Sequence, residues 1–416
     1  MMDSPFAALS LFGITLISFW WVLSVKDNTF KVLCVLLAVF FFIYCGIGVG
    51  YMKTPNKYYM ATYTVYVITF SIFLKLFMKR RIKIPESYVI NSFSEKWSKL
   101  IILVYLLFFI IPLIQSGKIG NLINPPLPKL GDVIVETNFE ENQVSSIFGT
   151  LINFTYIFYL LALSKYVKKP FILVALLILP TYIGYCRGGY IARSGAAYLI
   201  TIVVFVLYHY YPRIRKAIIY CILLGVPIVI VVFAAFVNYR LGADVEKRGV
   251  IESLNYLIQF ESYFPQWYDG LQNGHSTYIP NYFYWLVTLP LPGFMKLFDI
   301  NINFNALFTS DVTGVQLSGV TSIVLPGLVN EGVYIFGEVF FFIHAIIFAF
   351  IFSITYNTIS SRENNYIALV SVMLQFSLLT ARGGTFSYAI AVKMLLVLFL
   401  FKLFFTTRRK VSSQNQ

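Results

Sequence analysis

The sequence predicts an all-α polytopic membrane protein, and two observations lead to this fold class. Of the 416 residues, 58% are hydrophobic and only 12% are charged, whereas about a quarter of the residues in globular proteins are charged. The hydrophobic residues also fall in runs of about 20, the length that crosses roughly 30 Å of hydrocarbon as an α-helix. We therefore expect a single integral membrane domain over residues 1–416 rather than a series of soluble domains.

About eleven apolar runs are long enough to be membrane spans, and ten to twelve spans fit the pattern. The first run has no basic segment before it and no small-residue cleavage site, so we expect it to be retained as a span. The stretch 281–298 is also apolar, but Pro290 and Pro292 favour a re-entrant or interfacial segment over a straight helix. The eleven runs lie at about 6–25, 30–51, 59–78, 99–116, 147–164, 170–186, 190–211, 216–237, 332–356, 365–381 and 385–406.

The distribution of basic residues predicts the orientation of these spans. Clusters of lysine and arginine occur at 79–83, 165–169, 213–216 and 408–410, and eleven spans place all four on one side of the membrane. By the positive-inside rule this side is cytoplasmic, with the N-terminus outside and the C-terminus inside. The net charge of +14 follows from this loop pattern and does not indicate a nucleic-acid partner. A large loop at 238–331 and a smaller acidic loop at 117–146 are then extracytoplasmic.

The motif inventory excludes several kinds of chemistry. The sequence contains no Walker A lysine motif, no His-Glu-x-x-His, no Gly-x-Ser-x-Gly and no Asp-x-Asp pair. The four cysteines lie in or beside apolar runs without metal-ligand spacing, so we interpret them as packing residues. We therefore expect neither a metal nor another cofactor. If the protein is an enzyme, its substrate must carry its own activation.

Five arginines on the predicted outer side are candidates for binding a diphosphate. Arg187 and Arg382 each begin an Arg-Gly-Gly triplet at a tight turn between spans, Arg193 follows the first triplet, and Arg240 and Arg248 belong to the large loop. Guanidinium binds phosphate oxygens bidentately and stays charged when partly buried. The adjacent glycines allow backbone amides to approach an anion. The alternative is that these side chains extend from helix ends to lipid headgroups.

Glu331 and His275 are the candidates for a catalytic base. Glu331 ends the large loop, at the expected membrane rim, and His275 is the only histidine in an outer loop. Either side chain could take a proton from a hydroxyl group. The alternatives are a carboxylate stabilised by a helix dipole and an ordinary exposed loop histidine. Glu261, Asp269 and Asp311 are the further acidic candidates, whereas His344 lies in a span among aromatic residues and receives no role.

Three aromatic residues are candidates for binding a glycan, because carbohydrate rings stack on aromatic faces. Tyr263 and Trp267 lie within the large loop, and Tyr334 follows Glu331. Tyrosine and tryptophan are also normal constituents of the belts at membrane interfaces, which is the alternative interpretation.

The chain resembles the Wzy-type polymerases of O-antigen and capsule repeat units, part of a clan that includes the O-antigen ligases. The resemblance rests on Cys186-Arg187-Gly188-Gly189 at the start of a helix. It also rests on the stretch Gly-Leu-Val-Asn-Glu-Gly-Val-Tyr-Ile-Phe-Gly at 327–337. The architecture is similar as well, with ten or more spans and one dominant outer loop in the C-terminal half.

The resemblance implies a metal-independent glycosyltransferase on the outer face of the bacterial inner membrane. The donor would be a glycan on undecaprenyl diphosphate, and the acceptor a repeat unit on a second undecaprenyl diphosphate. The arginines would stabilise the leaving diphosphate, and Glu331 or His275 would accept the proton. The implied partners are these lipid-linked substrates, the bilayer and a membrane protein that regulates chain length. An O-antigen ligase and a lipid-linked oligosaccharide flippase or other transporter are the alternatives.

Overall fold

A computed structural model of the chain describes most of the predicted spans and part of the large loop. Within the described ranges every regular element is a helix, as the sequence predicted. For some helical residues only the backbone is described. The described residues are 2–79, 93–126, 141–188, 193–240, 249–253, 255, 264–268, 271, 282–283, 304–313, 327–360 and 366–383.

The longer helices are numbered here in chain order. The second of them continues through a π-helical turn, Phe42–Gly46, and a 3₁₀ turn, Ile47–Tyr51. Their bounds are α1 (Pro5–Val22), α2 (Asn28–Phe41), α3 (Lys57–Lys79), α4 (Glu95–Gln115), α5 (Glu141–Leu163), α6 (Pro170–Gly188), α7 (Arg193–Tyr210), α8 (Arg215–Arg240), α9 (Phe304–Thr313), α10 (Gly327–Phe340), α11 (Phe342–Ser360) and α12 (Tyr366–Gly383).

Six helices of the described residues are long and apolar enough to cross a membrane. This confirms the all-α membrane class, while the count of eleven spans and the loop arrangement stay predictions. Shorter apolar segments occur at Tyr198–Tyr210 and Tyr366–Ser377, and the predicted span at 385–406 lies outside the described residues. The six helices are Pro5–Val22, Asn28–Tyr51, Lys57–Lys79, Glu95–Gln115, Pro170–Gly188 and Phe342–Ser360.

The predicted span at 332–356 differs from the structure, because two helices occupy this stretch. The break lies at Gly337, whose φ of 75° and ψ of 175° are not helical. Glycine adopts a positive φ at little cost because it has no Cβ. All ten residues from Gly327 to Phe336 are buried. The first part of α10 is therefore a short internal helix, and α11 alone is long enough to span.

The chain divides into two compact units. Unit 1 comprises Met1–Ile84, Asn255–Thr358 and Val372–Leu396, and unit 2 comprises Pro85–Leu254, Ile359–Ser371 and Val397–Gln416. The expectation of a single integral domain stays a prediction.

In unit 1, hydrogen bonds join α1 to the two helices that follow it. The backbone amide of Ser4 donates to the carbonyl of Gly50 at 2.9 Å, so the start of α1 lies beside the end of the α2 segment. The hydroxyls of Thr15 and Tyr63 lie 2.7 Å apart between α1 and α3. We call the end of unit 1 that contains Ser4, Gly50 and the start of α3 the first end.

Asp27 marks the opposite, second end of unit 1. Its carboxylate caps α2 by accepting from the backbone amides of Thr29 at 3.0 Å and Phe30 at 3.1 Å. The other carboxylate oxygen accepts from the Tyr356 hydroxyl at 2.6 Å. Because Tyr356 lies near the C-terminal end of α11, that helix begins toward the first end.

A stripe of tyrosines on α3 faces the interior of unit 1. Tyr59, Tyr63 and Tyr66 are fully buried and follow one another at helical spacing. The Tyr59 hydroxyl donates to the carbonyl of Cys45 in the π-helical turn at 2.5 Å. Phenol groups in an apolar bundle need such partners, because no water is there to satisfy them.

In unit 2, a tyrosine compensates for a proline within a helix. Pro180 in α6 has no amide hydrogen, so the helix leaves the carbonyl four residues earlier, at Leu176, without its usual donor. The Tyr159 hydroxyl of α5 donates to that carbonyl. The Tyr198 hydroxyl of α7 similarly donates to the carbonyl of Ser371 at 2.7 Å. In both units, tyrosine hydroxyls thus donate hydrogen bonds to backbone carbonyls in the interior.

Gly332 allows α10 to pack closely, and we expect Gly332→Ala to destabilise the protein. A Cβ there would lie 3.2 Å from the Phe341 carbonyl oxygen, 3.3 Å from the Tyr66 ring and 3.4 Å from the Cβ of His344. Overpacking of this kind costs about 1–3 kcal/mol, which a lower midpoint of thermal unfolding would report. Gly13→Ala in α1 is the matched control, because a Cβ there meets no described atom within 4 Å. An equal effect of the two substitutions would contradict the prediction.

Candidate functional site

The break at Gly337, within α10, and the turn before α11 bring a carboxylate and an imidazole together. Glu331 lies in the second turn of α10, and His344 lies in the first turn of α11. The Oε2 atom of Glu331 and the Nε2 atom of His344 are 3.7 Å apart. Glu331 is only 4% exposed and His344 only 1%. A buried ionisable group destabilises the folded protein unless it has a polar partner. Glu331 and His344 each provide such a partner for the other.

Tyr66 of α3 completes a buried cluster with this pair. Its hydroxyl oxygen lies 2.8 Å from the Nδ1 atom of His344. An ionised carboxylate can only accept hydrogen bonds. The tautomer of His344 that carries its proton on Nε2 is therefore the one that directs an N–H group toward Glu331. Nδ1 then accepts from Tyr66. The arrangement favours one tautomer and one orientation of the ring. We call Glu331, His344 and Tyr66 the buried polar cluster.

The buried polar cluster lies well inside unit 1, whereas the expected position of Glu331 at the membrane rim stays a prediction. Tyr66 is the tenth residue of the 23-residue helix α3, which begins at Lys57. At about 1.5 Å per residue, it lies roughly 14 Å from the first end of this helix. Glu331 reaches that depth because the internal helix α10 enters unit 1 instead of starting at its surface.

Aromatic side chains enclose the cluster. The Tyr282 ring is fully buried, with its centroid 5.9 Å from His344 and 5.6 Å from Phe336. The Phe348 ring is nearly parallel to the His344 ring at a centroid distance of 6.5 Å. Tyr282 belongs to the predicted outer loop at 238–331. This part of the loop therefore packs against the cluster and covers it.

Tyr334, predicted to contact a glycan, is buried and bonded to another acidic candidate. Its hydroxyl donates to the Oδ2 atom of Asp311 at 2.6 Å. Its ring meets Phe308 edge to face at 5.5 Å, which packs α9 against α10. Tyr334 is 3% exposed, whereas Asp311 is exposed. In this structure Tyr334 orients a carboxylate and presents no open ring face.

Trp267, another predicted glycan contact, lies in a 3₁₀ turn, Phe264–Trp267, and is partly buried. The neighbouring Tyr268 is buried, and its hydroxyl lies 2.9 Å from that of Thr62 in α3. The Tyr268 ring also meets Tyr59 edge to face at 5.5 Å. This segment of the large loop is thus anchored on α3.

Arg187 is half-buried at the C-terminal end of α6 in unit 2. The segment after α4 is attached beside it. The Asn121 side-chain amide donates to the carbonyl of Cys186 at 2.7 Å, and the Tyr182 hydroxyl donates to the carbonyl of Leu122 at 2.9 Å. Asn121 and Leu122 belong to the predicted outer loop at 117–146. The described part of that loop therefore borders Arg187.

The backbone before Arg382 lies near the start of α10 in unit 1. The Cys45 thiol contacts the carbonyl of Ala381 at 3.5 Å, and it also contacts the backbone amides of Leu328 and Val329. The end of α12 and the N-terminal end of α10 therefore meet at one side chain. The side chain of Arg382 lies outside the described residues.

The remaining predicted site residues receive no test here. Arg193 begins α7 and Arg240 ends α8, but only their backbones are described. Arg248, His275 and Tyr263 lie outside the described residues. Their assigned roles stay predictions.

The sequence analysis missed two members of the buried polar cluster, His344 and Tyr66. One signal could have identified His344, because an ionisable residue within a membrane segment is a candidate functional residue by default. Its aromatic neighbours instead suggested ordinary packing. Tyr66 could not be found from local sequence, since it lies 278 positions before its partner.

Comparisons with known proteins do not place the chain in a family: no family model, curated protein or solved structure matches it. In the part of the chain that the structure describes, no three His, Cys, Asp or Glu side chains converge as metal ligands would. The chemistry of the site, rather than a relative, therefore indicates the function.

Proposed function

We propose that this protein is a glycosyltransferase that joins lipid-diphosphate-linked oligosaccharide repeat units into a polysaccharide. The observation that carries the proposal is the buried polar cluster inside a bundle of membrane-spanning helices. Ionisable residues at such depth are rare, and they mark functional sites by default. A carboxylate next to an imidazole that a tyrosine hydroxyl holds in place is suited to accepting a proton from a hydroxyl group.

In the proposed reaction, a hydroxyl of the acceptor repeat unit attacks the anomeric carbon of the donor glycan. Glu331 accepts the hydroxyl proton as the new glycosidic bond forms. The bond between the anomeric carbon and the diphosphate oxygen breaks, and the lipid diphosphate leaves with the bonding electrons. His344 orients the Glu331 carboxylate, and Tyr66 fixes the His344 ring. His344 and Tyr66 are therefore positioning residues.

The leaving diphosphate needs positive charge, which the predicted arginines would supply. Bidentate guanidinium groups stabilise negative charge as it develops, and they are most effective where water is excluded. In unit 1, the backbone of Arg382 follows a residue that shares the Cys45 thiol with the first amides of α10. The N-terminal end of a helix also favours an anion. Arg382 is accordingly the arginine that we link most directly to Glu331.

The proposal requires the site to open. Glu331 is 4% exposed and the buried Tyr282 ring lies against the His344 ring, so a substrate hydroxyl reaches the carboxylate only after the side chains that cover it move. Closure of a loop over bound substrate excludes water from many active sites. For a glycosyl transfer, such closure would also prevent hydrolysis of the donor.

A transporter of lipid-linked oligosaccharides is the second candidate, and the helix break at Gly337 favours it. Many transporters build their binding sites from interrupted helices that bring polar groups to the middle of the membrane. Glu331 and His344 flank such an interruption. In this alternative, protonation of the pair would drive a conformational change instead of a bond-forming step.

Reconstituted protein distinguishes the two candidates. Proteoliposomes that contain the purified full chain would receive fluorescently labelled repeat units on undecaprenyl diphosphate. We expect a ladder of longer glycans on a gel, together with release of undecaprenyl diphosphate. Protection of the label from an external glycosidase, without any ladder, would instead support transport and overturn the polymerase. A single transfer that requires added lipid A–core would support the ligase.

A further inference from the structure

An open groove runs between α1 and α3 on the surface of unit 1. It has a volume of about 330 Å³, and its walls include Ile14 and Ile17 from α1 and Ile68 and Ile72 from α3. These side chains make it suitable for an aliphatic chain. The groove is open to its surroundings rather than enclosed, as expected for a site that a lipid enters from the bilayer.

Ser71 contributes a hydroxyl group to the wall of this largely apolar groove. It lines the groove and is only 1% exposed. Among the residues that the structure describes, its hydroxyl oxygen has no hydrogen-bond partner. A buried hydroxyl without a partner is destabilising, so a ligand with a hydrogen-bond acceptor would gain from binding here.

A lysine side chain, that of Lys75, follows Ser71 along α3. Lys75 lies one turn further toward the second end of unit 1, and its Nζ atom is 4.0 Å from the centre of the Trp21 ring, which also lines the groove. Within the described residues, no carboxylate pairs with this ammonium group. Lys79, exposed in the last turn of α3, lies one turn beyond it. Tryptophan and lysine together are typical of the headgroup level of a bilayer.

We propose that this groove binds an anionic glycerophospholipid of the surrounding membrane. The order of groups on the protein matches the order within such a lipid. The phosphate would lie at Lys75, the ester carbonyl would accept from Ser71, and the acyl chain would pack along the four isoleucines. The groove's basic end lies toward the side that the sequence predicts to be cytoplasmic, where anionic lipids attract juxtamembrane lysines.

The experiment compares two lipids that differ only in headgroup charge. The purified full chain in a neutral detergent would be titrated with dioleoyl-phosphatidylglycerol or dioleoyl-phosphatidylcholine, and binding followed by thermal unfolding and native mass spectrometry. We expect half-maximal stabilisation at a roughly five-fold lower concentration of phosphatidylglycerol, the ratio that about 1 kcal/mol per lysine near a lipid surface gives.

Three variants assign this preference to the groove. Lys75→Gln should remove the preference, and Lys75→Arg should retain it. Ile68→Trp should fill the groove and weaken the binding of both lipids, which keeps the test valid if Lys75→Gln does not fold. Lys57→Gln removes one exposed charge from the opposite end of the same helix and, as the control, should change nothing. Equal binding of the two lipids by the unaltered protein would overturn the proposal. So would a preference that survives both Lys75→Gln and Ile68→Trp.

Discussion

Glu331→Gln is expected to reduce the rate of chain growth by roughly 10²- to 10⁴-fold, the usual contribution of a general base. Glutamine has almost the same shape as glutamate but cannot accept the proton of the attacking hydroxyl. The measurement is the initial rate of ladder formation in proteoliposomes with labelled lipid-linked repeat units. Glu338→Gln is the matched control, because Glu338 belongs to the same helix but is exposed. We expect that control to keep full activity.

Two further readouts separate catalysis from structure in this prediction. The Glu331→Gln variant should unfold at nearly the same temperature as the unaltered protein and should still bind the lipid-linked substrate. Tyr66→Phe removes only the hydroxyl at 2.8 Å from His344, and we expect a smaller loss, roughly ten-fold, as the loss of one hydrogen bond gives, with a changed dependence of the rate on pH. Full activity of Glu331→Gln in a folded protein would remove Glu331 from the mechanism.

Arg382→Ala and Arg187→Ala are each expected to lower the rate of chain growth by roughly 10²- to 10³-fold, comparable to the loss of one preorganised group that stabilises transition-state charge. In the proposed reaction the diphosphate would gain negative charge as it leaves, and a guanidinium group would neutralise part of that charge. Lysine at either position should restore little activity, because a point charge cannot replace a planar fork. The rate would be measured in the same proteoliposome assay.

Arg213→Ala is the control for the two arginines. Arg213 is exposed in the 3₁₀ turn Pro212–Ile214, within a basic cluster of the predicted cytoplasmic side. Its removal subtracts the same charge from the protein, and we expect the rate to stay unchanged. If Arg187→Ala and Arg382→Ala both retained full activity at normal protein levels, a diphosphate clamp made from these residues would be excluded.

The sequence predicted the apolar helices well, because membrane spans depend on a property that is local and additive. Predicted spans such as 59–78 and 99–116 begin and end within a few residues of α3 and α4, apart from a four-residue difference at the start of α4. The break at Gly337 could not be predicted in this way. The apolar run continues through it, and a positive φ is a property of packing rather than of hydropathy.

The candidate site was predicted only in part, for a different physical reason. Glu331 could be selected as an acidic residue beside an apolar run, but its depth depends on how α10 enters unit 1. His344 is recognised as a site residue only through its contacts with Tyr66 and Glu331. Tyr66 belongs to another helix, and Glu331 lies on the other side of the break at Gly337. Pairings between residues far apart in the chain leave no periodic pattern in a single sequence.

The division of unit 1 into separate chain segments has a consequence for biogenesis. Its first segment ends at Ile84 and its second begins at Asn255, so about 170 residues of unit 2 are synthesised between them. At about 5–20 residues per second, this delay lasts roughly 10–30 s. During that time the Tyr66 hydroxyl and the Asp27 carboxylate have been made, but His344 and Tyr356 have not. The early helices must therefore wait in the membrane or its insertion machinery with polar groups whose native partners are still to be translated.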